Sequence, residues 1–401
     1  MKYVTRWSMI CLSILILYFY IFAPPFKVLP FGSDKIIIIV ILFIILINGM
    51  FSKIIYFYKY EMFFLGLIAL FSIYVDLFNG HVVCSLNDTS LVLFLFPCSY
   101  GVLWSINHIT DISIKRILFM CVSLASFFSF FLILNPNIAY DLKINLLRYP
   151  EELLNTFIYR GYGLADGLLF SYPVIQGICI GLIILGYWKY GGWGAFFASI
   201  MLIAVFTNAR SGFVPILFSL LIVFVLNTRK FLKVGSFFII IVLCITVLDD
   251  FMEKSEMLST SFEWSMTTFD ILNDFLLGKT SENLEALLGD MLVFPVNLQD
   301  WLLGTGNYLF VDGVRTTDIG FLLRLNYGGI FYLSLMLALY FYMFYRICYV
   351  DKKIAIYLLF TLLYCNYKSD FFIFNSGVRF VFLLYVLITC PFFNSENGEK
   401  T

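Results

Sequence analysis

Long apolar runs recur along this chain, each closed by a short polar connection; "IIIIVILFIILI" at 36–47 and "PILFSLLIVFVL" at 215–226 are two of them. A run of about 20 mostly apolar residues is what a helix needs to cross a bilayer, and a bilayer admits little else, because backbone groups there have no water to bond. The composition agrees. Only 13% of the 401 residues are charged and 61% are hydrophobic, whereas a soluble domain carries roughly 25% charged residues. The sequence predicts an all-α, polytopic integral membrane protein of about 12 transmembrane helices with two large loops on the outer side. Candidate spans lie near 8–23, 36–51, 62–78, 89–106, 114–134, 171–188, 192–207, 212–227, 233–249, 318–346, 354–372 and 377–393. Residues 1–401 read as one membrane domain into which the loops 135–170 and 249–317 are inserted.

The connections set the expected orientation, since Lys and Arg are retained on the cytoplasmic side. With the N-terminus inside, Lys53, Lys59, Lys115, Arg116, Arg229, Lys230, Arg346, Lys352 and Lys353 all fall in inside turns. Both termini are then cytoplasmic. The loop 249–317 holds twelve acidic residues against three basic ones, which crosses without breaking that rule. Within it, apolar residues at helical spacing around Phe262–Leu276 and Leu284–Met291 predict two amphipathic helices on the outer membrane face. Lys2 and Arg6 precede the first run, but no small-residue cleavage site follows it, so it reads as a retained span.

Several chemistries find no support. A net charge of zero gives no reason to expect a nucleic-acid partner. The nine cysteines stand singly, without metal-site or disulfide spacing. His81 and His108 have no partner at ligand spacing and read as loop residues. "GTGN" at Gly304 lacks the lysine and spacing of a phosphate-binding loop and reads as a turn. No cofactor, metal or nucleotide site is expected.

A set of basic residues on the expected outer face is left over from this topology: Arg148, Arg160, Arg210, Arg315, Arg324, Lys368 and Arg379. Arg160 lies in "YRGYGLADG", where glycines allow close backbone approach to a ligand. Arg210 lies in "NARSG", a tight turn between two spans. Arg324 lies in "TDIGFLLRLNYGGIF", at the start of a span, where an ionisable residue is a functional candidate. Arginine forks match phosphate oxygens bidentately. Arginines converging at the outer leaflet would therefore suit a lipid-linked phosphate or pyrophosphate. Snorkelling to headgroups is the plainer reading, especially for Arg148 and Arg379. Among the acids Asp166, Asp312, Asp318 and Asp370, Asp318 heads a span and is either a helix cap or a general base.

The layout of spans and loops, with "NARSG" opening the eighth span and "LLGTGN…TTDIGFLLRLNYGGIF" leading into the tenth, resembles the O-antigen polymerases of the Wzy type. The resemblance runs over the whole chain, though its motifs are short. It implies a metal-independent glycosyltransferase of the bacterial inner membrane, with two large periplasmic loops and its active site on the periplasmic face. Such an enzyme moves a growing glycan from undecaprenyl pyrophosphate to the non-reducing end of the next lipid-linked repeat unit. Those repeat units and membrane lipids are its expected partners, and a chain-length regulator protein is a candidate one. On this reading Arg160, Arg210, Arg315 and Arg324 bind the pyrophosphates, Arg210 and Arg315 also serve catalysis, and Asp318 is the base. Related O-antigen ligases carry a histidine where this chain places Asp318. The arginine-x(10)-glycine pattern of some polymerases is absent, because the eleventh residue after Arg160 is Ser171. The alternatives are a lipid-linked oligosaccharide flippase, expected to line a cavity with charged spans where these spans read as nearly charge-free, and an O-antigen ligase.

Overall fold

The computed structural model describes residues 2–29, 32–80, 93–148, 161, 163–167, 170–188, 191–232, 234–235, 292–306, 317, 319–369 and 376–394. Among these residues the regular structure is helical, apart from an isolated bridge between Phe26 and Leu147. The helices are α1 (Lys2–Ile21), α2 (Ser33–Ile47), α3 (Phe51–Phe78), α4 (Leu95–Ile109), α5 (Ile114–Leu134), α6 (Pro136–Asn145), α7 (Ser171–Leu185), α8 (Gly191–Asn208), α9 (Phe213–Leu226), α10 (Leu298–Leu303), α11 (Gly320–Val350), α12 (Lys352–Lys368), α13 (Ser376–Thr389) and α14 (Pro391–Asn394). Three of them, α3, α5 and α11, are long and apolar enough to cross a membrane. Shorter apolar helices accompany them at Arg6–Ile21, Lys35–Ile47, Ser171–Leu185, Trp193–Asn208, Phe213–Leu226 and Ser376–Thr389. A helix occurs at every expected span except 233–249. Nearly all of that segment lies outside the described residues, as do the two amphipathic helices expected in the loop 249–317.

The chain forms two compact units, one of Met1–Val40, Val102–Asp270 and Ser395–Thr401, the other of Ile41–Gly101 and Ile271–Asn394. In the first, α7 is buried on all sides from Ser171 to Leu182, which suits a helix that is apolar all round. It packs on α8, α9 and α5, and α5 packs on α1 and α8. Gly186 ends α7 in the left-handed conformation (φ 85°), with its amide bonded to Ile183 O at 3.0 Å and the Tyr187 amide to Leu182 O at 2.9 Å.

In the second unit α11 packs on α3, α10, α12 and α13, and α13 is buried at every position. A single residue, Asp351, turns α11 into α12. Its carboxylate caps the new helix, accepting from Lys353 N at 2.8 Å and Ile354 N at 3.3 Å. The expectation of nearly charge-free spans is corrected here. Glu61 and Asp76 in α3, Arg324 in α11 and Arg379 in α13 are all buried inside helices. Glu61 was expected in a connection, but α3 begins at Phe51 and carries it well inside.

Candidate functional site

In the first unit the "NARSG" turn is a short 3-10 helix, Arg210–Gly212, joining α8 to α9. Its footing is polar and buried. Asn208 is fully enclosed and donates to Ala204 O at 2.8 Å and Ser129 Oγ at 3.4 Å. Tyr172 on α7 donates to Ala125 O at 2.7 Å, and its hydroxyl lies beside Ser129 and Gln176. Glycines let this turn sit directly on α7. A Cβ at Gly212 would stand 2.5 Å from Pro173 O, and one at Gly177 would stand 2.1 Å from Gly212 O. The backbone of Arg210 is thus placed, while the Arg210 side chain lies outside the described residues, as does all of Arg160.

The loop after Arg160 is held against the end of α1. Asp166 N donates to Phe22 O at 2.9 Å and Tyr18 Oη to Leu164 O at 2.9 Å. Gly161 and Gly163 have φ of 82° and 146°, so glycine here answers a backbone need. Arg148 has a structural partner: Nη2 donates to Leu29 O at 2.7 Å and Lys27 O at 3.3 Å, and Arg148 N donates to Pro25 O at 2.7 Å. It fastens the connection between α1 and α2 to the segment after α6. On α6, burial pushes the Lys143 ammonium down to about 8.

In the second unit the outstanding feature is a break in α11. Gly329 takes φ 67° and ψ −170° and divides a short arm, Gly320–Gly328, from the long remainder. Breaking a helix frees carbonyls that apolar surroundings cannot satisfy. The "GTG" turn supplies the missing donors: Thr305 N bonds to Asn326 O at 2.8 Å, Gly306 N to Tyr327 O at 2.9 Å, and Thr305 Oγ1 to Asn326 O at 3.0 Å. Contact is backbone to backbone, since a Cβ at Gly304 would lie 2.1 Å from Tyr327 O and one at Gly329 would lie 2.3 Å from Leu302 O. Asn326 Nδ2 adds a bond to Val293 O at 2.8 Å. The turn expected at Gly304 is therefore present, and it clasps the break.

Arg324 lies on the short arm and is 3% exposed. Tyr327, on the same face three residues later, donates to Asp76 Oδ1 at 3.0 Å near the end of α3. Arg379 is fully buried in the first turn of α13. The snorkelling reading of Arg379 is corrected, because α13 is enclosed on every side. Asp318 and Arg315 lie outside the described residues. The helix-cap position of α11 falls on Ile319, whose amide bonds to Thr317 Oγ1 at 3.1 Å.

One buried cluster escaped the sequence reading. Arg346, assigned there to topology alone, pairs with the fully buried Glu61, donates to Phe57 O at 2.8 Å and lies 5.3 Å over the Tyr58 ring. Tyr385 donates to the same Glu61 oxygen, so one carboxylate ties α3, α11 and α13 together. The available signal was a lone acid inside an apolar stretch. His108, read as a loop residue, sits in the last turn of α4 with Nδ1 2.8 Å from Trp104 O.

No protein-family model matches this chain, and no curated protein matches it either.

Proposed function

We propose that this chain is an O-antigen polymerase. In this role it transfers the growing glycan from undecaprenyl pyrophosphate to the non-reducing end of an incoming lipid-linked repeat, at the periplasmic face of the bacterial inner membrane. The observation that carries the reading is Arg324. An arginine buried in an apolar helix is costly, and this one stands on a short arm that a dedicated turn holds at a break. Broken helices are tolerated at membrane depth where they are buried in protein or line a cavity, and in transporters they form the ligand site.

The chemistry needs two provisions. The acceptor hydroxyl oxygen forms a bond to the anomeric carbon of the donor glycan as the bond from that carbon to the pyrophosphate breaks, with the electron pair leaving on the phosphate oxygen. Arginine forks neutralise the charge gathering there, and fixed donors do so best in a dehydrated site. We assign Arg160, Arg210, Arg315 and Arg324 to this role. The hydroxyl proton passes to a base within hydrogen-bond reach, for which Asp318 is our assignment.

The flippase reading gains one specific observation, the charges buried in α3, α11 and α13, since charged spans are what a transporter would show. Deletion followed by a lipopolysaccharide gel separates the two. Loss of a polymerase leaves a band of single-repeat product, whereas loss of a flippase or ligase leaves none. Absence of the single-repeat band would sink the polymerase reading.

A further inference from the structure

Gly177 lies in the middle of α7, where glycine costs about 1 kcal/mol against alanine, so its presence calls for a physical reason. The reason visible in the fold is the Arg210 turn. A Cβ at Gly177 would lie 2.1 Å from Gly212 O, a backbone atom, against about 3.4 Å for ordinary contact. The turn would have to rise by more than an ångström to admit one methyl group. Gly212 rests on α7 at a second point as well, since Pro173 O lies 2.5 Å from its would-be Cβ, and Val205 Cγ1 of α8 lies 2.8 Å from it. Upstream, Asn208 holds the end of α8 through Ala204 O and Ser129 Oγ. Displacement therefore falls on the residues between Asn208 and Gly212, and Arg210 is in their centre.

The layer under the turn sharpens this. Gln176, next to Gly177, is fully buried with neither amide atom at hydrogen-bonding geometry to a described group, and the same holds for Asn208 Oδ1 and Ser211 Oγ. The Gly177 contact meets a backbone oxygen that no rotamer change can move aside, so it is the element that fixes the height of the turn.

We propose that Gly177 is a positioning residue for Arg210, setting the turn at the height from which Arg210 reaches the diphosphate of a lipid-linked substrate. This rests on the polymerase reading. Misplacement of a binding group by about 1 Å can cost on the order of 10²-fold, so Gly177→Ala and Arg210→Ala should fail in the same way.

The test is a double-mutant cycle on the full-length protein in lipid nanodiscs, reading the affinity for farnesyl diphosphate, with inorganic pyrophosphate and farnesyl monophosphate as further arms. Gly177→Ala should weaken binding of the diphosphate roughly tenfold to a hundredfold, as loss of a charge-assisted contact does. In an Arg210→Ala background the same substitution should cost nothing more. Gly66→Ala, where an added Cβ meets nothing within 4 Å, should bind like wild type. If Gly177→Ala fails to fold, Val205→Ala loosens the same turn by removing atoms instead of adding them. It should weaken binding several-fold, again only where Arg210 is present. Wild-type affinity in the Gly177→Ala protein, or losses that multiply in the double variant, overturn the proposal. A wild-type protein that binds no polyprenyl diphosphate overturns the functional reading and takes this inference with it.

Discussion

Gly329→Ala tests whether the break in α11 is built in or incidental. Two costs follow from the geometry. At φ 67° and ψ −170° an alanine enters a backbone region open essentially only to glycine, at a cost of about 1–3 kcal/mol. Its Cβ would also stand 2.3 Å from Leu302 O, 2.4 Å from Leu302 C and 2.6 Å from Leu303 N, all backbone atoms that no rotamer change can move. Relief requires the α10 turn to withdraw. Withdrawal gives up the bonds from Thr305 N and Gly306 N to Asn326 O and Tyr327 O, each worth about 1 kcal/mol net and more where no water can replace it. Together these predict a loss of about 3–5 kcal/mol, large against a usual stability of about 5–15 kcal/mol. The assay is thermal unfolding of purified protein in mild detergent, with Gly66→Ala alongside. Gly66 lies inside α3 with nothing within 4 Å of an added Cβ, so alanine there should be neutral or stabilise by up to about 1 kcal/mol. A Gly329→Ala protein as stable as Gly66→Ala would refute the clasp.

Three further outcomes are expected. Arg346→Met leaves the buried Glu61 carboxylate without its cation and should cost about 3–5 kcal/mol in unfolding assays, while Arg346→Met with Glu61→Gln should recover much of the loss; an equally damaged double variant would show that the pair is not what matters. Lys143 carries its charge at a cost when folded, so the stability it contributes is complete above its ordinary value of 10.5 and is lost as pH falls through about 8. Lys143→Met should therefore be more stable than wild type at pH 7 by up to about 3 kcal/mol, with the gap closing near pH 10, and a gap constant in pH would count against a buried ammonium. Asp318→Asn should insert normally and yield only single-repeat product, since losing a general base typically costs about 10²–10⁴-fold; a wild-type ladder would remove Asp318 from the mechanism.

The helices were legible because apolar runs and their polar interruptions are local signals. What pairs across the sequence was not. Glu61 falls just ahead of the span expected near 62–78, and nothing nearby reveals the arginine 285 residues away that pairs with it. "GTGN" and "NYGG" were both visible as glycine clusters. Their partnership is a matter of backbone contact, which no spacing encodes. The sequence left a headgroup contact open for Arg379 because a run of apolar residues looks the same against lipid as against protein, whereas α13 is buried at every position. Of the site residues, the sequence chose Arg210 and Arg324, and the structure adds a reason for the setting of each: a glycine-seated turn for one and a clasped break for the other. Arg160, Arg315 and Asp318 lie outside the described residues.

The charges buried in the second unit are not alike, and the difference bears on what they do. Glu61 and Arg346 are neighbours of opposite sign, with Tyr385 donating to the same carboxylate oxygen, toward the ends of α3 and α11 that are remote from the break. A pair so matched joins three helices, and joining helices accounts for it. Asp76, Arg324 and Arg379 belong to the other end, with Asp76 near the close of α3, Arg324 on the short arm and Arg379 in the first turn of α13. Here two guanidinium groups accompany one carboxylate that already accepts from Tyr327, and the helix carrying one of the arginines is broken and held. The broken helix and its clasp give the arm that carries Arg324 a fixed place against the rest of the unit, and a fixed guanidinium is what the proposed polymerase chemistry asks of a residue facing a phosphate oxygen.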